Sequence, residues 1–335
     1  MGRCLELAER GRGYTKTNPL VGCVVVQNNR ILAEGWHRAY GERHAEADAL
    51  WHWGDAELPS DATVYVSLEP CAHHGKTPPC ADLLIRRGAK KVVCALGDPF
   101  PQVNGSGFAR LREAGVEVIN GILEKEAIWQ NRIFLHNVRQ QRPFIILKWA
   151  ETLNGMIAPQ PAARKQISGK AAHLLLHRWR AEEAAICIGR HTLETDQPQL
   201  TNRCWGSRQP LRIILDPHLK VNSASLKRMG SESDIWLVNI VHKGSDGNIR
   251  WIQCSEANFL HDLMRELHLA GIASVLVEGG PFTLQTFIRA GLADEHRIIR
   301  SRHISWNEGI PAPNITGTLR DHLICQEDEI LILQP

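Results

Sequence analysis

Two α/β domains joined near residue 142 are the fold class this sequence predicts, on three observations. Short apolar, β-branched runs alternate with helical segments along most of the chain. The polar run Arg139-Gln140-Gln141-Arg142-Pro143 interrupts that series and ends in proline, and a new series of strands begins behind it. The length, 335 residues, suits two domains better than one.

In the first domain Val21–Gln27 is valine-rich, Asn28-Asn29 signals a turn, and Arg30–Trp36 returns as the second strand of a hairpin. Glu46–Trp53 follows as a helix and Thr63–Ser67 as a short buried strand. Helices over Ala81–Arg87 and Gly107–Ala114 precede strands at Lys91–Ala95 and Glu117–Asn120, and a longer helix is expected over Leu123–Arg139. The second domain offers strands at Phe144–Trp149, Ala185–Gly189, Leu211–Asp216, Asp234–Val238 and Ser274–Glu278. Its helices are expected at Lys170–Ala181, Phe259–Ala270 and Phe282–Ala290. No repeat of solenoid period is present.

Composition narrows the function classes. Hydrophobic residues at 43% and charged residues at 22% are those of a soluble globular protein. A net charge of +3 gives no electrostatic reason to expect a nucleic-acid partner. Met1–Arg12 is charged throughout, unlike a signal peptide, and no run approaches the roughly 18 apolar residues of a membrane span, so the cytoplasm is the expected location. The nine cysteines are odd in number and scattered, which argues against a disulfide framework. Cys23, Cys94 and Cys187 sit in apolar runs as small core residues. Cys71 and Cys80 lie in polar, proline-rich surroundings and need another explanation.

That explanation is a metal. His44-Ala45-Glu46 opens a helix, Glu69-Pro70-Cys71 follows a strand, and Cys80 ends the loop after it. One imidazole and two thiolates leave the fourth position of tetrahedral zinc free, as a catalytic site requires. Glu46, two residues after a ligand, is placed to move a proton without binding metal. Taken alone, His-Ala-Glu is a chance tripeptide and two cysteines eight residues apart are core thiols or half of a structural site. His73 or His74 could complete such a structural site.

The His-x-Glu and Pro-Cys segments together resemble those of zinc deaminases, which hydrolyse an exocyclic amine from a nucleobase-type ring. Glu69-Pro-Cys-Ala-His-His-Gly-Lys-Thr-Pro-Pro-Cys80 resembles, more narrowly, the long zinc loop of the bifunctional riboflavin-biosynthesis deaminase–reductases. The resemblance extends to Thr17-Asn-Pro-Leu-Val-Gly22, Gly35-Trp-His37, His44-Ala-Glu46 and Asp98-Pro-Phe-Pro-Gln-Val103. In the second half it rests on Leu147–Gly155, Trp179–Glu182, Gly189–Thr192, Asp196–Arg203 and Val277–Gly280, and it fades after about Ala293. It implies a cytidine-deaminase-like three-layer αβα domain over 1–142 and a dihydrofolate-reductase-like α/β domain over 143–335. The chain would begin within the family's first helix.

The resemblance implies deamination of 2,5-diamino-6-ribosylamino-4(3H)-pyrimidinone 5′-phosphate, then NADPH-dependent reduction of its ribosyl group to ribityl. Asn18, His37, His73, Lys76 and Asp98 would line the deaminase pocket. Ala150, Gln166, Thr192, Asp196 and the segment Gly280, Pro281, Phe282, Thr283, Leu284, Gln285 and Thr286 would contact NADPH. Lys148, Arg164, Arg180, Leu200, Arg203 and Glu278 would hold the second substrate, the arginines suiting its phosphate through their planar fork. The partners implied are a small phosphorylated pyrimidine and a further copy of the chain, with no nucleic acid and no membrane. The chain departs from the family at Asn154, where Asp is usual, at Gln197, and in the Gln160–Ser168 loop. A deaminase whose second domain only binds ligand or supports assembly is the competing reading of the C-terminal half. A nucleic-acid or nucleoside deaminase is that of the N-terminal half.

Overall fold

The computed structural model describes residues 1–54, 56–72, 78–99, 105–160, 166–206 and 208–335. They form two compact units, Met1–Gln141 and Arg142–Pro335.

In the first unit α1 (Gly2–Glu9) precedes the hairpin β1 (Gly22–Gln27) and β2 (Arg30–Trp36). Asn28 and Asn29 both take positive φ, 50° and 60°, the turn geometry that follows strand twist and that asparagine tolerates. Then come α2 (Ala45–Ala49), β3 (Thr63–Val66), α3 (Cys80–Arg86), β4 (Lys91–Cys94), α4 (Ser106–Glu113) and β5 (Glu117–Ile119). The sheet runs β2-β1-β3-β4-β5, with β1 antiparallel to its neighbours and β3, β4 and β5 parallel. Its core includes Cys23, Val25, Val64, Val66, Leu84, Val92, Cys94 and Leu111.

Two helices differ from expectation. The α-helix expected over Glu46–Trp53 stops at Ala49, and Trp51–Trp53 finishes it as a 3-10 turn. The single helix expected over Leu123–Arg139 is two, α5 (Glu124–Gln130) and α6 (Arg132–Gln140). Asn131 is the reason. Its buried amide accepts the Leu20 N–H at 2.8 Å and donates to the Leu20 carbonyl at 3.0 Å, and its backbone sits between the helices at φ −96°, ψ 15°. Side-chain hydrogen bonding to a distant main chain outweighs helix continuity here.

The second unit opens with β6 (Phe144–Glu151), β7 (Met156–Pro159), α7 (Lys170–Glu182), β8 (Ala185–Gly189), α8 (Arg190–Asp196), β9 (Leu211–Leu215), α9 (Ser223–Arg228) and β10 (Ile235–Asn239). It continues through β11 (Gly244–Asp246), β12 (Ile249–Gln253), α10 (Phe259–Leu269), β13 (Ser274–Val277), α11 (Pro281–Arg289), β14 (Glu295–Ser301), β15 (Gly309–Pro311), β16 (Thr318–Cys325) and β17 (Asp328–Gln334). The main sheet runs β11-β12-β10-β9-β8-β13-β6-β14-β17-β16. Strands β12 to β14 in that order are parallel, and antiparallel strands close both ends. Because β13 returns between β6 and β8, the carboxyl ends of these three strands lie side by side, the place where α/β sheets bind ligands. Among the described residues no helix is long and apolar enough to cross a membrane.

Backbone approaches backbone where α2 meets β2. A Cβ on Gly35 would stand 2.2 Å from the Ala49 nitrogen and 2.6 Å from the Ala45 carbonyl oxygen, so a side chain there must push the helix away. Gly35→Ala is expected to lower stability by about 2 kcal/mol through this overpacking, read as a reduced midpoint in urea.

Candidate functional site

In the first unit three segments bring His44, Cys71 and Cys80 together. His44 stands at the N-cap of α2, Cys71 follows β3, and Cys80 opens α3. His44 Nδ1 is 3.5 Å from Cys71 Sγ and 3.4 Å from Cys80 Sγ, and the three ligand atoms lie within 4.8 Å of one another. Tetrahedral zinc, with Zn–S near 2.3 Å and Zn–N near 2.0 Å, needs S···N edges of about 3.5 Å. Both S···N edges therefore match those the ion requires.

Glu46 is 3% exposed and shares a hydrogen bond with the Cys80 thiol. Burial pushes its carboxyl pKa up, and the neighbouring Cys71 adds to this. The Cys71 thiol is pulled down to about 4 by its hydrogen bond with Cys80, while Cys80 is pushed up. A lowered Cys71 thiol suits a thiolate ligand. Asn18 Nδ2 meets His37 Nε2 at 3.0 Å, His37 Nδ1 meets the Arg43 carbonyl at 2.9 Å, and the His37 and His44 rings stand edge to face at 5.7 Å. Asn18 and His37 thus adjoin the metal triangle. His73 and Lys76 lie outside the described residues, as does the alternative ligand His74.

Asp98 is tied to the segment that carries Cys71 through Glu69, which the sequence did not single out. The buried carboxylate of Glu69 accepts the N–H groups of Asp98 (3.1 Å), Gly105 (3.1 Å), Gly107 (2.9 Å) and Phe108 (3.2 Å). It thereby ties the strand end that presents Cys71 to the Asp98 segment and to the start of α4. A Cβ on Gly107 would fall 1.9 Å from the Pro70 carbonyl oxygen, so only glycine allows α4 to come this close. A charged residue between a buried strand and Pro70 was the available signal.

In the second unit Arg180 on α7 grips Glu278, just past β13, with Nε and Nη2 at 2.8 and 2.7 Å, and its Nη1 reaches the Thr201 carbonyl at 3.3 Å. Lys148 on β6 shares this environment: burial lowers its pKa, and Glu278 counters that. Arg203 and the buried, left-handed Leu200 (φ 56°) belong to the segment after α8. His177, also on α7, accepts the Arg203 N–H at Nδ1 (3.3 Å), and the His173 ring stands 4.8 Å from it. His173, His177 and Arg180 share one face by helical spacing; both histidines were missed. The result is a cationic cluster around one carboxylate, an electrostatic match for a phosphate. Arg164 lies outside the described residues.

The segment 280–286 forms the start of α11. Gly280 is its N-cap, and Gly280 N–H donates to Thr192 Oγ1 at 3.1 Å, joining α11 to α8. A Cβ on Gly279 would lie 2.5 Å from Thr283 Cβ, so the turn is a backbone cradle with first-turn N–H groups free of intrahelical acceptors. Helical periodicity divides the side chains. Thr283 and Leu284 are buried, whereas Pro281, Phe282, Gln285 and Thr286 line an open groove of about 330 Å³ with Arg289 and residues 311–314. Ala150 lies on β6 opposite Ile299, Asp196 ends α8, and Gln166 donates to the Ser168 carbonyl. Asn154 accepts from Thr152 Oγ1 at 2.7 Å and donates to the Trp306 carbonyl at 2.7 Å. An aspartate could not make that second bond, so the departure at 154 serves the β6–β7 turn.

Comparison with known proteins matches both halves. Residues 1–96 match the cytidine and deoxycytidylate deaminase zinc-binding region, and residues 143–301 match the RibD C-terminal domain. The riboflavin biosynthesis protein RibD of Aquifex aeolicus is 40% identical over 301 residues, spanning 88% of this chain and 83% of that protein. That of Escherichia coli is 36% identical over 314 residues, spanning 88% and 84%. The crystal structure of a diaminohydroxyphosphoribosylaminopyrimidine deaminase/5-amino-6-(5-phosphoribosylamino)uracil reductase from Thermotoga maritima superposes with a TM-score of 0.90 at 33% identity, covering all of this chain and 97% of that one. Acinetobacter baumannii RibD gives 0.87 at 31%, with the same coverage.

Removing the Glu69 carboxylate would strand buried N–H donors, at about 1–3 kcal/mol for each group left unsatisfied. Glu69→Ala is expected to lower the melting temperature and to release zinc to a chelator faster than the parent, with Glu69→Gln intermediate.

Proposed function

The chain belongs to the RibD family of riboflavin-biosynthesis proteins, and from that premise we propose how its own residues divide two reactions, a hydrolytic deamination and an NADPH-dependent reduction. The substrate of the first is 2,5-diamino-6-ribosylamino-4(3H)-pyrimidinone 5′-phosphate. The second reduces the ribosyl group of the deaminated product to ribityl. The observation that carries this reading is the His44, Cys71 and Cys80 triangle with buried Glu46 against it.

Zinc supplies Lewis acidity at the triangle, making water a nucleophile at neutral pH. Glu46 takes the proton from the attacking water and passes it to the ring nitrogen and then to the departing amine. Asn18 and His37, bonded to each other, present polar edges to the pyrimidine, and Asp98 is held in place by Glu69. His73 and Lys76 serve the same pocket, Lys76 as a point charge for the phosphate.

In the second unit NADPH supplies the hydride. Thr192, Asp196, Ala150, Gln166 and the Gly280–Thr286 turn hold it, the α11 start offering main-chain N–H groups to its phosphates. Lys148, Arg164, Arg180, Leu200, Arg203 and Glu278 hold the second substrate, with the cationic side chains giving the field that favours its phosphate. The ring carbonyl and amine of the base stay outside this chemistry. The bonding of Asn154 favours a working reductase over a second domain that only binds ligand, since the departure at that position is accounted for by the turn.

The cytoplasm suits nine cysteines that are all free. A homo-oligomer suits β16, an edge strand that leaves Leu319, Leu323 and Ile324 exposed. Leu323→Lys is expected to lower the mass seen by light scattering; an unchanged mass removes β16 from the contact.

Glu46→Gln is expected to retain zinc, to lower deamination by about 10²- to 10⁴-fold, and to reduce supplied deaminated substrate at the parent rate. Product analysis with and without NADPH reads both activities in one assay. Deamination in the variant at the parent rate removes Glu46 from the mechanism.

A further inference from the structure

We propose that His177 is a positioning residue of the reductase, holding the main chain of Arg203 so that the Arg203 guanidinium meets the substrate phosphate. The inference rests on the phosphate role given to Arg203 above.

The two arginines of the cluster are held in different ways. The guanidinium of Arg180 is committed: two of its N–H groups go to Glu278 and a third to the Thr201 carbonyl. It is 8% exposed and its place is set by its own side chain. Arg203 is exposed, and an exposed arginine loses rotamer freedom whenever it captures an anion. What anchors it is its backbone. The Arg203 N–H donates to His177 Nδ1 at 3.3 Å, across 26 residues of sequence.

The imidazole is suited to that task. His177 is 1% exposed and lies beneath the segment rather than in the open site. Since Nδ1 accepts, the single proton of the neutral ring sits on Nε2. Nε2 stands 3.5 Å from Arg203 Nη2, which is also a donor. Two donors do not bond, so the ring fixes the main chain of Arg203 without consuming its guanidinium. A protonated ring would lose the acceptor, and burial together with Arg180 pulls its pKa down to about 4. Arg180, Arg203, His173 and Glu278 are the charged and titratable groups facing it, and three of the four favour the neutral ring. Asn202 secures the same segment from the other side, taking the Cys204 and Trp205 N–H groups at 3.2 and 3.0 Å.

The test uses the full chain, with the thermal unfolding profile as the control for folding of the second unit. The reductase KM for 5-amino-6-(5-phosphoribosylamino)uracil, its kcat, and competitive inhibition by inorganic phosphate are measured in His177→Leu, His177→Asn, Arg203→Met and the Leu/Met double variant. Asparagine places an oxygen near the Nδ1 position and keeps the acceptor; leucine does not. His177→Gln, with its acceptor displaced by one bond, replaces the leucine variant if that chain fails to fold. His177→Leu is expected to raise KM and the phosphate inhibition constant about tenfold with kcat changed far less, and His177→Asn to stay near the parent. The double variant should be no weaker than Arg203→Met alone, because His177 acts through Arg203. Additive losses, or an asparagine variant as weak as the leucine one, would overturn the inference. Unchanged phosphate inhibition in Arg203→Met would overturn the phosphate role of Arg203 itself, and the inference with it.

Discussion

Three ligand atoms held within 4.8 Å of one another are costly to assemble without a cation, and the first unit is arranged around meeting that cost. Two thiols and an imidazole brought together and buried lose hydration that only a metal restores in full. The protein meets part of the penalty in advance, by giving Cys71 Sγ the Cys80 N–H at 3.3 Å. The remainder is met by rigidity. β3 delivers Cys71, α3 delivers Cys80, and the Glu69 carboxylate holds the start of α4 in place. Each of these is set by the parallel core strands, whose carboxyl ends all face the same way.

The second unit solves a different electrostatic problem. It keeps several charges out of water, and it pairs them. Arg297 lies between Glu183 and Glu295 at 2.9 and 2.7 Å, all three nearly inaccessible, and Arg180 is clamped on Glu278. Buried ion pairs of this kind add little net stability against apolar replacements. Their value at Arg180 is local: the pair fixes a cation and a carboxylate where β13, β6 and β8 end. Gly280 at the start of α11 and Thr192 on α8 are joined by a hydrogen bond next to these strand ends, where the strand order reverses.

How much of this was legible in the sequence depended on whether the signal was local. The metal ligands and Glu46 are separated by short, typed intervals, and the hairpin turn announces itself as Asn28-Asn29. Arg180, Glu278 and Arg203 were reached only through family resemblance, because nothing in their spacing tells a clamp from surface charge. Glu69 and His177 were missed for a physical reason: each works through main-chain N–H groups 26 to 39 residues away, and such bonds leave no periodic trace. Asn131 hid in a convincing helical pattern for the same reason. The C-terminal strands escaped because β16 is exposed along almost its whole length and so lacks the alternation that marks a half-buried strand.

The close approaches at Gly35 and Gly107 have an evolutionary consequence. At both places it is main chain, not a neighbouring side chain, that limits the space. A core defined by interlocking side chains drifts whenever one of them is exchanged, since its partners must repack. A frame defined by peptide groups does not, because every residue type carries the same peptide. The metal triangle can therefore keep its dimensions while much of the surrounding sequence turns over, as it has between this chain and relatives that share fewer than half of their residues with it. At these two positions a Cβ meets main chain, so the freedom to vary lies in the side chains around them.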